Sequence, residues 1–207
     1  MRTKTIFILL LIIPLFLLTG CQKEISKTVG QASDFENLQT YQSQASGWGI
    51  DYSVFEIKYP EEMFVEDCPG KAGLSFNQND ISHCGEGPRD SLPPINIMVR
   101  PTFEDNPEVA KQKIQDSLAW SKKSWKDFSQ EEISVGPYRA IKTTGVWQIP
   151  EGGMRPELNG TKEEIIYIPA SSAVFEISLG HYGLSEKEIE KYQAVLEQIL
   201  KSFKLID

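Results

Sequence analysis

Two cysteines and one histidine lie close enough in the chain to form a covalent bridge or a metal site. Cys68 and Cys84 are 16 residues apart, and His83 directly precedes the second cysteine. In an exported protein such a pair is most simply a disulfide, which adds about 3 kcal/mol of stability for a loop of this length. Free thiols, or a metal site built on Cys68, His83 and Cys84, are the alternatives. We expect the disulfide, because adjacent ligands rarely both reach one tetrahedral ion.

The second histidine is the candidate for catalysis. His181 follows an apolar segment, and Ser178 precedes it by three residues. A hydrolase needs such a base beside a nucleophile, but the G-x-S-x-G motif of the α/β-hydrolases is missing. We therefore predict no catalytic residue and no cofactor, and an envelope hydrolase that uses His181 is the alternative.

Adjacent acidic residues form a further group that could do chemistry. Four doublets are Glu61-Glu62, Glu66-Asp67, Glu131-Glu132 and Glu163-Glu164. Neighbouring residues on a strand point to opposite faces, so the carboxylates of a doublet seldom share a proton or a metal. We expect solvated charge at all four doublets.

A short apolar segment near the amino terminus ends at the third cysteine. Arg2 and Lys4 precede an unbroken apolar run, Ile6 to Leu18. This run is shorter than the roughly 20 residues that a membrane-spanning helix needs. A basic start followed by an apolar run of this length is typical of a secretory signal peptide.

The end of that run, Leu18-Thr19-Gly20-Cys21, resembles the bacterial lipobox. The resemblance implies that the leader, residues 1–20, is removed and that the sulfur of Cys21 receives a diacylglyceryl group. Two or three acyl chains, at about 0.8 kcal/mol per buried methylene, give a stable membrane anchor. We therefore expect a lipoprotein, acylated with palmitate-like chains, on the extracytoplasmic face of a cell membrane. The alternative is a secreted protein cut near residue 20, in which Cys21 is incidental.

The mature chain is strongly acidic. Without residues 1–20 it has 19 lysines and arginines against 29 aspartates and glutamates, a net charge of −10. No basic stripe is present that could displace counterions from phosphates, which argues against a nucleic-acid partner. The expected partners are the membrane, through the lipid on Cys21, and an envelope protein or ligand that the sequence does not identify.

Alternating apolar residues predict a set of strands. Two strands are predicted around residues 55–59 and 95–99. Two later hairpins are predicted to turn at Gly136-Pro137 and at Ser171-Ser172, and such short connections join antiparallel neighbours.

Two amphipathic helices complete the predicted fold. Asn106 is a suitable N-cap for a helix of about 20 residues whose apolar stripe reaches Trp125. Ser185 and Glu188 have the spacing of a capping box at the start of a second helix. Because an apolar helix face packs on a sheet, we predict a single α+β domain over residues 47–207. In it, one antiparallel sheet is flanked by helices on both faces, and residues 21–46 form a flexible tether before it.

A glycine- and proline-rich loop separates the two predicted hairpins. Trp147 lies at its start, and Met154 and Arg155 lie within it. Exposed tryptophans mark recognition surfaces, although a buried position is commoner. Residues 147–160 are therefore the candidate binding edge.

Two segments resemble the PsbP-type proteins, a group that includes bacterial PsbP-like lipoproteins and the Ran-binding nuclear-transport protein of similar fold. They are FEIKYPEEMF, with its Ile-x-Tyr-Pro strand end, and YQAVLEQILKSFKL, with its Leu-x-Ser-Phe ending. The likeness covers about residues 48–204. It implies an α/β/α sandwich and a non-enzymatic domain that binds or helps to assemble other macromolecules. The segment from Glu66 to Asp90 fits no part of this pattern, and we expect it to be an insertion.

Overall fold

The computed structural model describes residues 35–43, 46–47, 50–51, 54–68, 70–76, 93–102 and 106–206. These ranges contain twelve strands and two α-helices. The strands are β1 (Leu38–Gln42), β2 (Ser46–Gly47), β3 (Ile50–Asp51), β4 (Val54–Pro60), β5 (Met63–Cys68), β6 (Lys71–Phe76), β7 (Ile95–Pro101), β8 (Trp125–Val135), β9 (Tyr138–Trp147), β10 (Lys162–Pro169), β11 (Ala173–Gly180) and β12 (Lys204–Ile206). The helices are α1 (Pro107–Ser124) and α2 (Glu186–Ser202). Within the described residues, neither helix combines the length and the apolar composition that crossing a membrane requires.

The strands form two principal sheets. Seven strands pair in the order β5-β6-β7-β11-β10-β9-β8, and every neighbouring pair is antiparallel. A smaller antiparallel sheet has the order β1-β4-β12, and β2 pairs with β3. The prediction of an antiparallel sheet with two helices is confirmed, but the single sheet that we expected is divided, and strand dominates the fold.

The larger apolar core lies between the two principal sheets and α2. Phe55 of β4 packs edge-on against Phe175 of β11, with ring centroids 5.7 Å apart, and stacks on Phe203 at 5.8 Å. Tyr192 and Leu196 of α2 belong to the same buried cluster. The small sheet and α2 therefore cover this face of the large sheet together, rather than α2 alone.

Helix α1 packs on the other side of β10. Ala110, Ile114 and Leu118 form a second buried cluster with Tyr167 and Val174. Their strand neighbours, such as Ile166 and Ile168, belong to the larger core. Because successive side chains of a strand point to opposite faces, the two clusters occupy opposite faces of β10.

Both helices begin where the sequence predicts. The side chain of Asn106 accepts a hydrogen bond from the Glu108 backbone N–H at 3.0 Å, and Pro107 is the first helical residue. Ser185 and Glu188 form the complete capping box. Helix α1 ends sooner than its predicted stripe, because Trp125, only 3% exposed, already begins β8.

Two segments assigned outside the sheet by sequence form strands, one in each of the two principal sheets. Strand β1 lies in the range 21–46 predicted as a tether, and it pairs with β4 from Leu38 opposite Pro60 to Gln42 opposite Glu56. The segment from Glu66 to Asp90, which we expected to be an insertion, forms paired strands in its first part. There, Glu66 and its neighbours on β5 pair with β6, and β6 pairs with β7.

The ring of Phe55 is the clearest test of the contact between the two sheets. It is 1% exposed, whereas Phe64 of β5 is 47% exposed. We expect Phe55→Ala to lower the free energy of unfolding by about 3–5 kcal/mol, because it leaves a cavity between three aromatic rings. Phe64→Ala, the matched control, should cost about 1 kcal/mol or less. Equal losses in urea unfolding of the two variants would contradict this packing.

Candidate functional site

A cavity of about 190 Å³ opens where β9 and β11 end and β7 and β10 begin. It lies on the α1 face of the large sheet, because Glu163 has the same strand parity as Ile165 and Tyr167. Its polar wall is formed by Lys71, Asn96, Arg155, Thr161, Lys162, Glu163 and Ser178. Trp147, Leu158, Tyr182 and the two prolines Pro93 and Pro94 provide most of its apolar surface.

The register of the strands brings these side chains together. Glu163 lies opposite Gly145 on one side and Gly180 on the other. A Cβ atom added at Gly145 would lie 2.5 Å from the Trp125 ring, so this glycine makes room for that ring. A Cβ atom added at Gly180 would meet no atom within 4 Å. Gly180 therefore leaves open space beside Glu163.

Trp147 connects the cavity to α1. Its indole Nε1 donates a hydrogen bond to Oε2 of Glu163 at 2.7 Å. Its ring packs edge-on against Trp125 at 5.8 Å and against Trp120 of α1 at 5.4 Å. Trp120 is 51% exposed, whereas Trp147 is partly buried. The three tryptophans hold the end of β9 in place and orient the indole N–H towards the carboxyl group.

Glu163 is the most perturbed acid of the cavity wall. Burial, the largest effect, raises the pKa of Glu163 to about 7. The hydrogen bond from Trp147 lowers this pKa, the charge of Glu176 raises it, and the charge of Arg155 lowers it. Burial disfavours the charged form of a carboxyl group. At neutral pH this side chain therefore exists as a mixture of neutral and charged forms, and it can either donate or accept a hydrogen bond.

Arg155 reaches the cavity from the loop between β9 and β10. Its backbone is left-handed, with φ 65° and ψ 52°, a conformation disfavoured for a residue with a side chain and for one that precedes proline. Its Nε donates to Oε1 of Glu157 at 2.8 Å. Its Nη2 is buried and has no hydrogen-bond partner among the described residues.

A second unsatisfied polar atom lies in the same wall. Oδ1 of Asn96 is buried and, within the described part of the chain, has no donor. An unsatisfied buried polar group costs about 1–3 kcal/mol. Two residues of the cavity wall, Arg155 and Asn96, thus each carry one buried polar atom without a partner among the described residues.

The predicted binding edge coincides in part with this cavity. Trp147 and Arg155 line it, whereas Met154 is 92% exposed on the loop and is not part of the wall. Sequence reasoning missed Glu163, which we expected to be solvated together with Glu164. Both are largely buried, and Glu164 forms an ion pair with Lys142 at 2.7 Å. The available signal was the alternation of Glu163 with Ile165 and Tyr167.

The arrangement that a hydrolase using His181 would need is not found among the described residues. His181 is not part of the cavity wall, and its imidazole makes no hydrogen bond to a carboxylate within the described ranges. Burial, and then the charge of Lys162, lower its pKa, while Glu164 acts in the opposite direction. Ser178, which does line the cavity, places its Oγ 3.5 Å from the backbone oxygen of Asn96.

The cysteine predictions lie mostly outside the described residues. Cys68 is buried at the end of β5, but Cys21, His83 and Cys84 are not among the residues described. Lipidation of Cys21 and the Cys68–Cys84 disulfide therefore stay predictions. Within the residues that are described, no three His, Cys, Asp or Glu side chains are grouped as metal ligands.

No family model matches this sequence, and no curated protein matches it. The chain is similar in structure to PsbP (CyanoP) from the cyanobacterium Synechocystis sp. PCC 6803, with a TM-score of 0.43 and 11% identity over 82% of this chain and 92% of that one. It is also similar to the Saccharomyces cerevisiae Ran-binding protein Mog1p, with a TM-score of 0.40 and 12% identity over 83% and 97% of the two chains. A protein from Bacteroides thetaiotaomicron VPI-5482 has a TM-score of 0.39 and 13% identity over 74% of this chain and 45% of that one. No conclusion about function is drawn from similarity at this level.

Titration of Glu163 makes stability depend on pH. Its folded pKa of about 7 lies above the ordinary value of 4.5, so the folded state holds the extra proton between these values. Stability contributed by the neutral form is therefore lost as pH rises from about 4.5 through 7. Glu163→Gln keeps an acceptor for Trp147 but cannot ionise. We expect its melting temperature to exceed that of the wild type at pH 8 and to match it at pH 4. Identical pH profiles for the two proteins would show that Glu163 is not the titrating group.

Proposed function

We propose that this chain is a lipid-anchored, non-catalytic binding protein of the extracytoplasmic membrane face, with PsbP-like architecture, and that the cavity beside Trp147 and Arg155 is its binding site. One observation carries the proposal. Two residues of the same small cavity wall, Arg155 and Asn96, each carry a buried polar atom that has no partner among the described residues. A bound group would supply the missing hydrogen bonds.

The strained backbone of Arg155 supports the same conclusion. A glycine would occupy its left-handed conformation without the cost of about 1–2 kcal/mol that a side chain incurs. Residues held in such conformations cluster at ligand clamps and active sites. The gain from placing a guanidinium group in the cavity is the reason we infer for an arginine at this position.

Binding accounts for the wall better than catalysis does. The hydrogen bond that Glu163 makes is with the indole N–H of Trp147, which cannot act as a nucleophile. The hydroxyl of Ser178, the wall residue that a hydrolase would use, is near a backbone oxygen rather than a base. A carboxyl group with a pKa of about 7 is useful to a general base, but it is equally suited to binding a partner by hydrogen bonds.

Membrane attachment rests on the lipobox-like sequence Leu18-Thr19-Gly20-Cys21. We expect the wild-type chain to incorporate labelled palmitate and to sediment with membranes, and Cys21→Ala to lose both properties, because no other side chain there forms the thioether. The double variant Cys68→Ala/Cys84→Ala is the control and should keep the label. A Cys21→Ala protein that is processed and sedimented like the wild type would disprove the anchor.

The cavity itself is tested by filling it. Gly180→Leu places a side chain in open space beside Glu163 without changing any charge. We expect this variant to recover at least about tenfold less of any partner identified by co-purification from detergent-solubilised cells, because it excludes the bound group from Arg155. Met154→Ala, which alters the exposed loop outside the wall, is the control and should recover the partner normally. Equal recovery by both variants, at unchanged melting temperature, would remove the cavity as the binding site.

A further inference from the structure

We propose that the cavity takes a small organic anion, a molecule that carries a carboxylate and a neighbouring hydroxyl or amine donor. This inference rests on the proposed function, because it assumes that the cavity is the binding site. It goes beyond that function by naming the chemistry of the ligand, which follows from the hydrogen bonds that the wall lacks and from its charged groups.

The described wall carries more cationic side chains than acidic ones. Nη2 of Arg155 is buried without a partner, while its Nε is engaged by Glu157 at 2.8 Å. Lys162 forms no ion pair with the described acidic residues, and the ammonium of Lys71 is 4.0 Å from Glu66, at the limit of an ion pair. A guanidinium group and ammonium groups around one small space favour an acceptor with several lone pairs, which a carboxylate provides.

One acceptor in the wall needs a donor in return. Oδ1 of Asn96 is buried without a hydrogen bond, and it lies next to Ser178 across the β7–β11 ladder. A carboxylate alone would leave this oxygen unsatisfied. A hydroxyl or amine group of the same molecule would satisfy it, so the partnerless atoms of Arg155 and Asn96 together favour a hydroxy or amino acid.

The size of the cavity limits the ligand. A volume of about 190 Å³ corresponds to about six water molecules. Trp147, Leu158 and Tyr182 offer a limited apolar surface. An acid of two to four carbons fits this space, whereas a nucleotide or a sugar polymer does not.

Glu163 determines how binding depends on pH. It is the acidic member of the described wall, and it is surrounded by Arg155 and Glu157 from the loop, Lys162 on its own strand, and Glu176 with its partner Arg100 from β11 and β7. An anion bound in the same cavity repels the ionised carboxylate and accepts a hydrogen bond from the neutral one. Binding of an anion should therefore take up a proton, whereas binding of a cation should release one.

The experiment compares three probes of equal size with the full-length chain in detergent. Glycolate carries the carboxylate and the hydroxyl, ethylene glycol is neutral, and ethanolamine is a cation. The ¹⁵N indole signal of Trp147 reports both binding and the titration of Glu163, because the two groups are hydrogen-bonded. We expect glycolate to shift this signal saturably, to raise the midpoint of its titration above 7, and to bind up to about tenfold more weakly per pH unit above that midpoint.

Two outcomes would overturn the inference. The first is tighter binding of ethanolamine than of glycolate, with a lowered midpoint. The second is no effect of any probe although the Trp147 signal titrates normally. Neither outcome contradicts the proposed function if Gly180→Leu still lowers partner recovery. Failure of the ligand proposal can therefore be distinguished from failure of the proposed function.

Variants of Arg155 and Glu163 test whether these side chains are responsible for glycolate binding and for its pH dependence. Arg155→Gln should weaken glycolate binding by about 10- to 100-fold, since a hydrogen bond to a charged group is lost, and Arg155→Lys should recover part of it. Arg139→Gln removes the same charge at the opposite end of β9 and should leave binding within about twofold of the wild type. Glu163→Gln should abolish the pH dependence between pH 6 and 8. Weakening by Arg139→Gln equal to that by Arg155→Gln would show that the anion effect is not specific to the cavity.

Discussion

The alternation of side chains along β10 is the constraint on which the rest of the structure depends. Ile166 and Ile168 enter the core under α2 and the small sheet, while Ile165 and Tyr167 pack under α1. A shift of one residue in the register of this strand would exchange the two sets and place both cores wrongly. The same parity carries Glu163 to the α1 face, and the described lining of the cavity contains no residue of α1.

Glu163 and Glu164 show that the face of β10 on which a side chain lies determines its partners. Glu164 points away from the cavity, and the nearby ammonium of Lys142 at 2.7 Å compensates its burial. Glu163 is half-buried on the other face, and its hydrogen bond comes from a neutral indole, so burial outweighs its stabilising contacts and its pKa rises to about 7. A formal cation neutralises a buried carboxylate far better than a neutral donor does. Adjacent residues of one type thus have different partners, because a strand turns them towards opposite faces.

Local sequence signals predicted the elements but not the way in which they combine. Caps at Asn106 and Ser185, and turns at Gly136-Pro137 and Ser171-Ser172, act within a few residues, and the helices and hairpins follow from them. The small sheet depends on β12 returning to β4, a pairing such as Leu205 with Phe55 that no local pattern encodes. For the site, loop composition indicated Trp147 and Arg155. Glu163 and Asn96 were missed because their burial comes from strands distant in sequence, and an acidic residue in an alternating strand looks solvated until its neighbours across the ladder are known.

Departures from local preference occur at several places in the described part of this fold, among them the left-handed Asp127 and the unsatisfied buried atoms Ser121 Oγ and Trp125 Nε1, and several of them border the cavity. The helix caps and the aromatic packing around Phe55 agree with the preferences of the residues involved. In contrast, the left-handed arginine, two unsatisfied polar atoms and a buried carboxyl group with a raised pKa all border one cavity. Each lowers the stability of the folded chain, and none improves the packing of either core. Sequences that otherwise agree with their fold retain such conflicts chiefly where function requires them. Four of them lie together beside Trp147, and together they support a binding site there more strongly than any one of them alone.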